Sequence, residues 1–129
     1  MKYLCLIYDE EKKFGTMSKG DMDGMMSEYR AFGDEIKKKG HFIGGEQLQP
    51  VSSATTIRSR NGKISTTDGP FAETREQLGG FYFIEARDLN EAIAIASRIP
   101  SVRTGSIEVR PVVDHAAQAT ARKEAAATA

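Results

Sequence analysis

The chain has 129 residues, a formal net charge of zero, 40% hydrophobic and 28% charged residues, and one cysteine. This length suits a single domain with a real core. The balanced charge argues against nucleic acid, which calls for a basic patch or stripe, and a lone cysteine excludes an internal disulfide. The longest apolar run, residues 3–8, is far too short to cross a bilayer. The N-terminus has one lysine and no signal-peptide layout, so the expectation is a soluble, cytoplasmic protein that does not engage a membrane.

Residues 2–8 (KYLCLIY) are apolar on both alternating faces, the pattern of a central strand covered on both sides. Cys5 lies inside it as a small buried hydrophobe, with no activating neighbour in the local sequence. Residues 9–16 form a polar loop. A first helix follows over about 18–39, capped by Ser18 with Asp21 in its first turn. Met22, Met25, Met26, Tyr29, Phe32 and Ile36 share one apolar stripe; its methionines suit either core packing or an adaptable ligand surface. Lys37, Lys38 and Lys39 complement the negative end of the helix, and Gly40 stops it.

Residues 41–48 (HFIGGEQL) read as a second strand, with a bulge at Gly44-Gly45 and Glu46 beside it. Residues 54–60 and 63–68 are strands joined by Asn61-Gly62, a two-residue hairpin turn. That turn fixes the register: Arg60 faces Lys63, Ser59 faces Ile64, Arg58 faces Ser65, Ile57 faces Thr66 and Thr55 faces Asp68. One face then carries Ile57, Ile64, Thr66 and Asp68 and is expected to turn inward. The other carries Arg58, Arg60, Lys63 and Ser65 and is basic and solvated.

Asp68-Gly69-Pro70 is a stiff corner, since Gly69 permits unusual backbone angles and Pro70 fixes φ. Asp68 either caps that turn with its carboxylate or stands as an acid at the mouth of a pocket. After Glu73, Arg75 and Glu76 comes Gly79-Gly80, which lets the chain bend or a ligand approach closely. Residues 80–86 (GFYFIEA) are a second strand apolar on both faces. Asp88 caps a second helix with Glu91 in the capping-box position. Leu89, Ala92, Ile93, Ala96 and Ile99 are its expected buried stripe, and Pro100 ends it. Residues 106–112 form a half-buried last strand, with Ile107 and Val109 alternating with Glu108 and Arg110. The domain is expected over 1–113. Residues 114–129 are an alanine-rich tail without a stripe to dock it.

With the hairpin set aside, the order is βαββαβ, an α+β ferredoxin-like arrangement with an inserted β-hairpin. Two helices cover only one face of such a sheet, yet residues 2–8 and 80–86 are apolar on both. A second subunit packed sheet against sheet would bury the remainder, so a symmetric homodimer of the dimeric α+β barrel type is expected.

The segments KYLCLIY, GGEQLQP, ATTIRSRNGK, TDGPFAETREQLGGFYFIE and GSIEVRP resemble the DGPF group of YCII-related proteins over roughly residues 1–112. The resemblance implies the dimeric α+β barrel and a largely uncharacterised function. The wider family is associated with a histidine on the first helix and an aspartate just before the proline ending the second. Those positions resemble Tyr29 and Ile99 here, so that pair is absent and Asp68 is the substitute candidate. His41 and His115 lie outside the motif.

Two readings follow. In the first, the chain binds or transforms a small molecule, with Asp68 as general acid or base. Glu46 and Arg110 are its charge partners, Tyr8 or Tyr82 its hydrogen-bond donors, and Phe71 a ligand contact. The resemblance to barrels that include isomerases and monooxygenases needing no metal implies chemistry with no cofactor. In the second, the chain is a regulatory or protein-interaction module of the kind found beside sigma factors, offering Arg58, Arg60 and Lys63 to an acidic partner. Metal-ligand spacing, a phosphate-binding glycine loop and a nucleophile elbow are all missing from the sequence.

Overall fold

The structure, a computed structural model, describes residues 1–128. Its elements are β1 (Lys2–Asp9), α1 (Glu11–Phe14), α2 (Lys19–Lys38), β2 (Phe42–Gln47), β3 (Thr55–Arg60), β4 (Lys63–Asp68), β5 (Gln77–Glu85), α3 (Leu89–Ala96), β6 (Ser106–Pro111) and α4 (His115–Thr128). Four strands form one antiparallel sheet in the order β2-β5-β1-β6. This is the ferredoxin-like α+β arrangement, with β3 and β4 as a separate two-stranded sheet.

Alternation along β1 divides the sheet into two faces. Tyr3, Cys5, Ile7 and Asp9 are buried, while Leu4, Leu6 and Tyr8 are half-buried. Cross-strand pairing places Ile84, Tyr82 and Gly80 of β5 with the buried set. Phe32 and Ile36 of α2, and Ala92, Ile95 and Ala96 of α3 with Ile99 beyond it, close over that face to make the core. Burial lifts the Cys5 thiol to about 11, so it is an inert core residue at neutral pH.

The caps form as their residues dictate. Ser18 Oγ accepts a hydrogen bond from the Asp21 amide at 3.1 Å, and Asp88 Oδ1 accepts one from the Glu91 amide at 2.9 Å. The Glu91 carboxylate reaches back one residue further than a standard capping box and accepts from the Arg87 amide. Asp88→Ala is expected to cost about 1 kcal/mol in a chemical denaturation experiment.

Three sequence expectations need correction. The buried stripe of α3 runs through Ala92, Ile95 and Ala96 and continues to Ile99, whereas Leu89 and Ile93 are 47% and 48% exposed. Both sets satisfy helical spacing, and packing against the sheet selects the one containing Ile95. Residues 11–14 of the expected polar loop form the short helix α1. The hairpin has the expected register at every pair, but its apolar face does not turn inward: Ile57 is 67% and Ile64 75% exposed. Alternation determines which residues share a face, but the hairpin is a two-stranded sheet of its own, separate from the main sheet and its core. Residues 115–128 form a helix whose side chains are exposed through residue 127. Among the described residues no helix is long and apolar enough to cross a membrane.

Candidate functional site

Between α2 and the β2–β5 side of the sheet lies a cavity of about 650 Å³. Its apolar wall begins where the stripe of α2 parts from the core: Phe32 and Ile36 are buried, whereas Met22, Met25 and Tyr29, nearer the start of the helix, are only partly covered. The methionines therefore line the cavity and do not extend the core, which gives it a flexible, polarizable side. Phe14 contributes from α1 and Tyr82 from β5. The Tyr82 ring is fixed edge-on between Phe32 and Phe42, at centroid distances of 5.0 and 6.5 Å.

Polar groups converge on this wall. Asp9 is the last residue of β1 and the next member of its buried alternation, at 6% exposure. Its Oδ1 accepts a hydrogen bond from Thr104 Oγ1 at 2.9 Å, while its Oδ2 is buried with no hydrogen-bond partner. Asp9 joins no ion pair among the described residues. An unsatisfied buried oxygen of this kind costs about 1–3 kcal/mol, which singles out Asp9 as a candidate site residue. Tyr29 and Ser101 meet hydroxyl to hydroxyl, and both line the cavity.

The tyrosines are held neutral. Burial pushes Tyr82 up to about 12, and the neighbouring Tyr29 adds to the shift. Tyr29 is also raised, chiefly by burial; its Ser101 hydrogen bond opposes that, and the Asp9 charge reinforces it. At neutral pH the wall thus offers hydroxyl donors beside a carboxylate. Because the Ser101 bond favours the phenolate, Ser101→Ala is expected to move Tyr29 ionisation to still higher pH, read from its ring carbon in an NMR titration. An unchanged midpoint would show that the hydroxyl pair has no electrostatic effect.

The residues expected from the sequence fall in three places. Tyr82 lies in the cavity wall and Glu46 on its exposed rim. Tyr8 and Arg110 stand on the face of the sheet opposite the helices, where Arg110 pairs with Glu108. Asp68 and Phe71 are exposed beside the hairpin and do not line the cavity. The corner is held by backbone, with the Gly69 amide donating to the Ala54 carbonyl at 2.7 Å. Of the two positions named by the family resemblance, Tyr29 is in the cavity wall, and Ile99 is fully buried in the core. Sequence reasoning missed Asp9 and Ser101. Extending the Tyr3, Cys5, Ile7 alternation by one step would have found Asp9. Among the described residues no cluster of potential metal ligands occurs.

The chain matches the YCII-related domain over residues 1–116, and it belongs to that family. It is 36% identical over 114 residues to an uncharacterized protein of Rhizobium meliloti (strain 1021), spanning 87% of this chain and 92% of that protein. A solved structure with a similar fold is 5-chloro-2-hydroxyhydroquinone dehydrochlorinase from Burkholderia phenoliruptrix AC1100, in complex with 2,5-dihydroxybenzoquinone. It has a TM-score of 0.50 and 14% identity, with 88% of this chain and 94% of that one covered. This likeness supports the ferredoxin-like fold.

Proposed function

We propose that the protein binds a small, ring-sized molecule in the α2–sheet cavity and moves a proton on it without a cofactor. The observation that carries this reading is the buried Asp9 carboxylate, with one oxygen unpartnered, set beside neutral tyrosines in an apolar wall. Asp9 takes a proton from carbon next to a carbonyl. The electron pair of that C–H bond forms the new C=C bond, and the carbonyl oxygen becomes the enolate oxygen. Tyr82 or Tyr29 donates a hydrogen bond to that oxygen as its charge develops. The hydroxylated ring held by the structural neighbour is a ligand of a kind that this donor and acceptor set would suit. The test is deuterium uptake from D₂O into a cyclic enolisable ketone, followed by mass spectrometry. Catalysed uptake is expected, and uptake no faster than in buffer contradicts the reading.

Asp68 and Phe71 enter this reading only as groups brought by a second copy. Leu4, Leu6, Phe81 and Phe83 share the face of the sheet turned away from the core that α2 and α3 cover. We infer that two copies bury it against each other as a dimeric barrel. Leu6→Arg is expected to convert a sedimenting dimer into a monomer; a wild-type monomer would contradict the pairing.

The alternative, a regulatory module, draws on the hairpin, whose Arg58, Arg60 and Lys63 are all exposed. Reversing those three charges would then abolish binding of an acidic partner protein and leave the cavity chemistry intact.

A further inference from the structure

We propose that Thr104 is a positioning residue that makes Asp9 a one-oxygen acceptor, so that the cavity selects ligands presenting a single hydroxyl and rejects paired donors such as amidinium groups. The proposal rests on the cavity reading above and specifies which chemistry the site admits.

Three features converge on one side of the Asp9 carboxylate. Thr104 Oγ1 donates to Oδ1 at 2.9 Å. The next residue, Gly105, brings its backbone flush against the same atom: a Cβ built there would lie 2.6 Å from Asp9 Oδ1 and 1.9 Å from the Tyr8 carbonyl oxygen. The segment carrying both residues is itself pinned. The Gly105 amide donates to the Ser101 carbonyl at 2.8 Å, and Arg103 pairs with Glu28 on α2. Oδ1 is therefore occupied and hemmed in, while Oδ2 has no partner. Amidinium and guanidinium groups bind carboxylates best through two parallel N–H donors, one to each oxygen. A hydroxyl needs only one oxygen. The same turn carries Ser101, whose hydroxyl meets Tyr29, so one short segment sets both the acceptor and a neighbouring donor.

Phenol and benzamidine are suitable probes, titrated by NMR into the wild type, Thr104→Val and Thr104→Ser, with the Asp9 carboxyl carbon observed in each free protein. The wild type is expected to bind phenol in preference to benzamidine. Thr104→Val keeps the side-chain shape but lacks the hydroxyl. It is expected to move the Asp9 carbon resonance and to shift the preference about tenfold toward benzamidine, in line with losing a hydrogen bond to a charged group. Thr104→Ser should restore both. A folded Thr104→Val protein with an unchanged Asp9 resonance and an unchanged preference would overturn the positioning role and leave the cavity reading standing. Failure of both probes to perturb Asp9, Tyr29 or Tyr82 in the wild type would overturn the cavity reading, and the selection with it.

Discussion

Asp9→Asn is expected to slow deuterium uptake into an enolisable ketone by about a hundredfold to ten-thousandfold, the usual contribution of a positioned general base. The amide keeps the shape and can still accept from Thr104, but it cannot take a proton. Its melting temperature is expected to be no lower than that of the wild type, because the change removes a buried charge that joins no ion pair among the described residues. The variant also has a signature independent of turnover. The Asp9 charge opposes formation of the Tyr29 phenolate and so helps to raise its pKa. Removing that charge is expected to bring Tyr29 ionisation to lower pH, the opposite direction from Ser101→Ala. Loss of uptake together with a collapsed fold would instead make Asp9 a structural residue.

Gly105→Ala is expected to be strongly destabilising, since its added carbon would make the tightest contact among the glycine positions. The added carbon would sit 1.9 Å from the Tyr8 carbonyl oxygen and 2.6 Å from the Asp9 carboxylate. The first is backbone of β1, a central strand, and cannot yield without disturbing its pairing with β6. A loss of about 3 kcal/mol corresponds to a fall in melting temperature of about 10 °C. Gly24→Ala serves as the control. It lies inside α2 with nothing within 4 Å of the added carbon, so it is expected to gain about 0.5–1 kcal/mol from helix propensity. Equal effects at the two positions would show that the close approach at Gly105 does not constrain the fold.

Local chemistry made much of this fold legible. Asn61-Gly62 dictated the hairpin register, Ser18 and Asp88 announced two helix starts, and the two-faced apolar runs identified β1 and β5 as the central strands. What was not legible is what lies against each face. The hairpin alternation grouped Ile57, Ile64, Thr66 and Asp68 correctly, but only three-dimensional placement reveals that this face is open. In α3 two overlapping stripes satisfy the same period, and only contact with the sheet selects Ile95 over Ile93. The methionines of α2 fit a core stripe equally well, and their role changes because the cavity separates the start of the helix from the sheet. Asp9 was hidden for a simpler reason: a carboxylate at a strand end resembles the start of a polar loop until its neighbours show that it is buried. Tyr82 was recoverable because it lies on a central strand with glycines before it.

The most direct test of the central claim is a crystal structure of the protein grown with phenol. The expected result is the ring between Met25 and Tyr82, with its hydroxyl against Asp9 and within reach of Tyr29. Phenol bound instead beside Asp68 and Phe71, with the α2–sheet cavity closed by its own side chains, would contradict the account and return the site to the hairpin loop.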